Sequence, residues 1–277
     1  MSRIEQAMEK KAQAQPKTPS PPGRSAPAIQ RIPSNVSVIA PPIRAPQAPA
    51  AGQVDEHIAS FHHPRSGLTE NFKQIRLVIQ NMLPEGNNKV ILFTSAFRGE
   101  GKTTGGLNFA AAVAQDASRR VVIVDADMRE PQVHTLLGMK LRPGFGDLIL
   151  SDAPVDSVVV NTPIPGLSAI LCGDIPPNPT GLVGSERTEQ IFAELKAKFD
   201  FIVVDTPPVL PVVDTIQMAA FADGVVLIVE AAKTSRKKIQ RAVQLLNNAN
   251  ASVMGFLLNK SHGGQADYHA ARYYDSG

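Results

Sequence analysis

The sequence predicts an α/β fold, a mostly parallel sheet covered by helices on both faces. Short apolar runs rich in Val and Ile recur along the chain, at 90–95, 120–125, 200–205, 223–229 and 253–258. Such runs are what strands buried on both faces require. Segments of helical period alternate with them, as in successive βα units. The Gly-rich and acidic stretches fall at the carboxyl ends of the runs, where open sheets of this kind bind ligands.

Taken in order, residues 2–14 carry a Ser2/Glu5 capping-box pattern with Ile4 and Met8 on one helical face. Residues 1–15 therefore read as a short amphipathic helix, either a docking peptide or a frayed terminus. Residues 16–65 are rich in Pro, Ala, Ser and Gln with no hydrophobic period, which predicts a disordered linker. His57, His62 and His63 precede Pro64 and read as loop rather than as metal ligands. The folded domain is expected over 66–261, with a flexible tail at 262–277. It opens with a helix at 68–83, whose Phe72, Ile75, Ile79 and Met82 share a face while Glu70, Lys73 and Arg76 share another. After the strand at 90–95 a helix follows through Leu107, Phe109 and Val113. Short helices are expected around Leu136 and Leu148 and a strand near Leu167–Leu171. A helix near Thr180–Phe199, a short helix near 214–221, and a helix at 235–248 with Ile239, Val243 and Leu246 inward complete the pattern.

Composition narrows the function classes. The net charge is +3, but residues 1–50 hold seven Lys/Arg against two Glu, a surplus of five. The rest of the chain is therefore at −2 and has no basic stripe for nucleic acid. There is no apolar run of transmembrane length and no secretory leader. The single cysteine, Cys172, excludes an intrachain disulfide and reads as a small buried residue. A cytoplasmic protein is expected.

The chemistry concentrates in three stretches. The first, Ala96-Phe97-Arg98-Gly99-Glu100-Gly101-Lys102-Thr103-Thr104, joins a strand to a helix N-terminus. This is P-loop architecture, although Ala96 stands where the general motif has its first Gly. Gly99 and Gly101 allow a tight turn that aims N–H groups inward, and the helix N-terminus adds free donors. Lys102 is placed for the β- and γ-phosphates of ATP, the Thr103 hydroxyl for Mg²⁺, and Thr104 for the α-phosphate. The second stretch ends a strand as Asp125-Ala126-Asp127-Met128-Arg129. Its two carboxylates point the same way in an extended chain, which is costly unless a cation separates their roles. The third ends a strand as Val203-Val204-Asp205-Thr206-Pro207-Pro208, where Asp205 can hold Mg²⁺ directly or through water.

These motifs, in this order, resemble the catalytic domain of bacterial tyrosine autokinases of capsule and exopolysaccharide synthesis. That family has a Walker A ending in GEGK(S/T)T, then hhhDxDxR, then hhhDxPP. Pro177-Asn178-Pro179-Thr180, Asp214-Thr215, Ala222-Asp223-Gly224-Val225 and Gly255-Phe256-Leu257-Leu258-Asn259 match as well. The similarity covers roughly Leu68 to Lys260, and the opening MSRIEQAMEK is similar to kinases of exosortase-linked exopolysaccharide loci. Three departures stand out: Arg98 replaces a usual Pro, Gly181 replaces a usual Glu, and the helix signature E-x-x-R-x-x-R of ring assembly appears as Glu70, Lys73 and Arg76. Lys keeps the charge but not the bidentate fork.

The resemblance implies ATP and Mg²⁺ as cofactors, with Thr103, Asp125 and Asp205 at the metal. It implies Asp127 as base or as orienter of the acceptor hydroxyl. Arg129 either stabilises phosphate charge or braces the strand end. Asn259 is implied as an adenine contact. The three tyrosines of the chain, Tyr268, Tyr273 and Tyr274, all lie in the last ten residues. They are the expected phosphoacceptors, modified in trans within a homo-oligomer. The partners implied are an inner-membrane chain-length protein (a polysaccharide copolymerase) as activator, which would bring the chain to the inner face of the plasma membrane, and a cognate tyrosine phosphatase. A competing class is the partition- or septum-site ATPase switch, which carries a Lys where this chain has Phe97. A third is a nucleotide-binding scaffold that docks the copolymerase without catalysis.

Overall fold

The computed structural model describes residues 52–83 and 88–260. The expected N-terminal helix, most of the linker and the tyrosine tail lie outside these residues. Nine helices and seven strands are found among the described residues. They run α1 (Ala59–His62), α2 (Gly67–Met82), β1 (Lys89–Ser95), α3 (Lys102–Ala114), β2 (Val121–Asp125), α4 (Val133–Leu136), α5 (Phe145–Ile149), β3 (Val160–Asn161) and β4 (Leu167–Ile170). Then follow α6 (Pro179–Val183), α7 (Glu186–Lys198), β5 (Phe201–Asp205), α8 (Asp214–Ala219), β6 (Gly224–Glu230), α9 (Arg236–Asn248) and β7 (Val253–Asn259).

The strands form one sheet in the order β3-β4-β2-β5-β1-β6-β7. Every pairing is parallel except that of the two-residue β3 with β4. Because side chains alternate along a strand, each strand feeds two cores. Ile91, Phe93, Ile123 and Val203 pack on one face with Phe72, Ile75 and Ile79 of α2 and Leu107 and Phe109 of α3. Val90, Leu92, Val124 and Val204 pack on the other with Phe145 and Leu148 of α5, Ile191, Phe192 and Leu195 of α7, and Leu246 of α9. Full burial of each such side chain is worth roughly 1.5–3 kcal/mol.

The structure corrects the reading of the chain in four places. First, residues 54–62, expected to lie in the linker, are packed against the domain. Val54 and Ile58 are buried in the α2/α3 core, and the Asn108 side chain of α3 accepts from the Ser60 N–H and donates to the His57 carbonyl. Two apolar anchors in a Pro-poor stretch were too sparse to register as a period. Second, His62 sits in α1 rather than in a loop, and its Nε2 donates to the carbonyls of Val54 and Asp55 at 3.1 Å. Third, the helix expected over 180–199 is two helices. The chain breaks at Gly184, and the Ser185 side chain caps α7 by accepting from Thr188 N–H. Fourth, Arg76 is not part of the ion pair that Glu70 and Lys73 make. Those two pair at 2.8 Å, while Arg76 reaches across to Asp116 after α3 at 2.9 Å.

Candidate nucleotide site

Strand order places the site. β5 lies between β1 and β2, with Phe93 opposite Asp205 and Asp205 opposite Asp125. The ends of three strands distant in sequence thus become one floor, under the start of α3.

The loop between β1 and α3 has the conformation that its glycines permit. Gly99 and Gly101 take left-handed φ of +80° and +92°. A Cβ on Gly101 would also lie 2.1 Å from Asn259 Nδ2. Glu100 props the loop from within: buried, it accepts from the Phe97 N–H at 3.0 Å and from the Thr234 hydroxyl. Asn259 Nδ2 donates to the Glu100 carbonyl at 2.9 Å, and Lys260 Nζ to the Gly99 carbonyl at 2.7 Å. Lys238 of α9 lies over the Phe97 ring, 4.5 Å from its centroid. Arg98 turns the other way and pairs with Glu130 after β2.

Below the loop, Lys102 Nζ sits 2.7 Å from Asp127 Oδ2, 3.5 Å from Asp205 Oδ2 and 3.1 Å from Thr103 Oγ1. The Thr103 hydroxyl donates to Asp205 Oδ2 at 2.7 Å. Asp127 Oδ1 accepts from the N–H groups of Arg129 and Glu130, at 3.2 and 3.1 Å. Asp125 Oδ2 accepts from Val133 N–H at 3.1 Å. Three carboxyls thus face one ammonium in a nearly dry floor. Burial, reinforced by the neighbouring Asp205, pushes Asp125 well above the ordinary carboxylate range. Burial pushes Asp205 up to about 6; Lys102 opposes the shift and Asp127 adds to it. Burial alone would lower the pKa of Lys102, but Asp205 and Asp127 outweigh it and hold the ammonium charged.

The site fits a divalent cation. Asp125 Oδ1 and Asp205 Oδ1 are buried with no hydrogen-bond partner in the protein, beside a hydroxyl already aimed at Asp205. Among the described residues no three His, Cys, Asp or Glu side chains converge into an all-protein metal cage. Mg²⁺ needs none, since it takes one or two carboxylates and completes its shell with phosphate oxygens and water.

The predicted residues Phe97 to Thr104, Asp125, Asp127 and Asp205 therefore meet in one place. Arg129, expected either to stabilise phosphate charge or to brace the strand end, is bonded within the protein. Its guanidinium grips buried Asp214 of α8 with two bonds, of 2.8 and 3.2 Å, and Thr180 of α6 at 2.8 Å. Asn259 braces the loop through its Nδ2, while its Oδ1 accepts from the N–H of the adjacent Lys260. Sequence reasoning missed Asp214 and Thr180 as partners of Arg129, although both sit in stretches that match the family. It also missed Thr234 and Lys260, which carry no motif. Cys172 is buried, and burial pushes its thiol up to about 12, so it is inert.

The fold and this site define a P-loop nucleotide-binding protein, and residues 88–257 match the AAA domain family. A putative tyrosine-protein kinase CapB of Staphylococcus aureus is 33% identical over 76% of this chain and 91% of its own length. Among solved structures, the chimerical protein CapA2B2 superposes with a TM-score of 0.69 at 29% identity, over 77% of this chain and 95% of the other. The kinase domain of the Escherichia coli tyrosine kinase ETK gives 0.69 at 25%, over 73% and 79%. The chain belongs to this family of bacterial tyrosine-protein kinases. The septum site-determining protein MinD of Pyrococcus horikoshii, solved with Mg-ADP, shares the fold, with a TM-score of 0.55 at 21% identity over 64% and 72%.

Proposed function

We propose that the chain is an ATP- and Mg²⁺-dependent protein-tyrosine kinase that phosphorylates Tyr268, Tyr273 and Tyr274 of a neighbouring copy. The observation that carries this reading is the placement of Asp127. Its Oδ1 is held by two backbone N–H groups, and its Oδ2 faces Lys102. When the phosphates of ATP draw the Lys102 ammonium away, Asp127 Oδ2 is left fixed and open. It then accepts the hydroxyl of an incoming tyrosine and its proton. The N–H groups of residues 99–103 hold the phosphates, and Thr103, Asp205 and Asp125 would hold Mg²⁺. Bound there, the ion supplies charge neutralisation on the transferring phosphoryl group.

The remaining features of the reading follow from the family. The kinase would act in exopolysaccharide or capsule synthesis, activated by a membrane-embedded copolymerase that brings it to the inner membrane face, and be reset by a tyrosine phosphatase. Among the described residues no helix is long and apolar enough to cross a membrane, so recruitment would depend on such a partner. Glu70 and Lys73 remain available on the surface of α2 for assembly, whereas Arg76 is committed to Asp116.

The test is the intact mass of the full chain after incubation with ATP and Mg²⁺, with and without the activator's cytoplasmic segment, followed by peptide mapping. Phosphate on the three tail tyrosines, absent in Lys102→Met, is the expected result. Steady ADP release with no added mass would overturn the kinase reading in favour of an ATPase switch.

A further inference from the structure

Two arginines stand at the mouth of the site, and they differ in their freedom. Arg129 is gripped by Asp214, which is 2% exposed, and by Thr180. Withdrawing it would strand a buried carboxylate. Arg98 is 70% exposed and its partner Glu130 is 43% exposed. An exposed ion pair is weak because water screens it, so a stronger anion can displace Glu130.

Arg98 is also aimed at the reacting end. Elsewhere in the loop, Phe97 and Glu100 turn toward the β6/α9 side, where Lys238 and Thr234 meet them. Arg98 turns toward the segment after β2. Its partner Glu130 is tied by its backbone N–H to Asp127 Oδ1, while Lys102 holds Asp127 Oδ2. Arg98 is thus tied, through Glu130, to the same Asp127 that Lys102 holds.

We propose that Arg98 is a catalytic residue for phosphoryl transfer: it leaves Glu130 when ATP binds and donates its N–H groups to the γ-phosphoryl oxygens. The proposal rests on the kinase reading above. In the transfer step the tyrosine Oη forms a bond to the γ-phosphorus. The bond from that phosphorus to the bridging oxygen breaks, and its electron pair departs on ADP. The hydroxyl proton goes to Asp127. Arg98 neither gives nor takes a proton. It stabilises charge on the transferring group, as a planar five-donor cation is suited to do. Glu130 parks the guanidinium when no nucleotide is bound.

The experiment compares wild type, Arg98→Ala, Arg98→Lys and Glu130→Gln, each as the full chain with Mg²⁺. Calorimetric titration with ATP and with ADP is followed by single-turnover transfer to the tail. Arg98→Ala is expected to weaken ATP roughly tenfold while ADP stays within about twofold, as loss of a bond to a charged group requires. Its transfer rate is expected to fall on the order of 10²-fold, with Arg98→Lys restoring part of both. Glu130→Gln is expected to tighten ATP severalfold relative to ADP. Equal weakening of ATP and ADP would mean a loop-shaping role and overturn the proposal, as would wild-type transfer by Arg98→Ala. If wild type itself transfers no phosphate, the kinase reading fails. The ATP-to-ADP ratio then still decides whether Arg98 meets the terminal phosphate.

Discussion

Lys102, Asp125, Asp127 and Asp205 at the floor of the site are each no more than 9% exposed, whereas Arg98 and Glu130 at its rim are 70% and 43% exposed. The floor groups are held by strand register, backbone N–H groups and one another. The rim is closed by an ion pair that water screens. A buried floor is set before ligand arrives and resists change, because each member stranded there costs its full desolvation. A solvated rim exchanges partners at little cost. The difference teaches where to expect preorganisation and where to expect movement: groups fixed in advance belong to the floor, and a group that must change partners before it acts belongs to the rim.

Substitutions can break or sharpen this contrast. The largest effect is expected from Lys102→Met, which removes the floor's one cation. Tail phosphorylation should fall by at least 10²–10³-fold, measured by single-turnover transfer. A residual rate near wild type would place the phosphate elsewhere. Gly101→Ala comes next, since a side chain at φ +92° strains the backbone and meets Asn259. It should cost roughly 1–3 kcal/mol of stability and weaken ATP and ADP alike, read by thermal melting and titration.

The floor also carries a pH signature. Asp205 is raised to about 6 and Asp125 is raised as well, so the folded, ligand-free protein binds protons more tightly than the unfolded chain. The contribution of Asp205 to stability is complete below the ordinary carboxylate pKa near 4. It is lost as pH rises through about 6. Ligand-free Asp205→Asn should therefore gain on the order of 2–3 kcal/mol over wild type at pH 7, as the two-unit rise implies, while losing its Mg²⁺ dependence. Melting temperature across pH 4–8 checks both. Wild-type Mg²⁺ affinity should fall as pH drops below 6.

Smaller effects are expected toward the rim. Arg129→Ala leaves Asp214 without its cation and should cost roughly 1–3 kcal/mol, with a loss of activity that follows the loss of fold. The smallest structural effect should be that of Glu130→Gln, within about 0.5 kcal/mol of wild type. A larger change in its melting temperature would make the rim as rigid as the floor and dissolve the contrast.

Much of this was legible in the chain. The apolar runs marked six of the seven strands, and the missed one, β3, has two residues and no periodicity to read. Phe97 to Thr104 needed only local chemistry: two glycines, a lysine and a threonine at a strand-to-helix turn. Arg129 was not settled in sequence because its partners Thr180 and Asp214 lie 51 and 85 residues away. Nor was the packing of residues 54–62, because Val54 and Ile58 gain their burial from α2 and α3 rather than from a pattern of their own.

What the sequence determined by itself is the local part. Alternating patterns decide which segments are strands and helices, and the loop's residue types decide what it can bind, because both depend on neighbours a few positions away. Tertiary structure alone decided that β5 enters between β1 and β2. That order sets Asp205 beside Asp125 and under Thr103, turning two weak acidic strand ends into one dry floor with shifted proton affinities. It also decided which arginine is locked and which can move. Strand order and burial arise from packing between segments far apart in the chain, and no local pattern carries them.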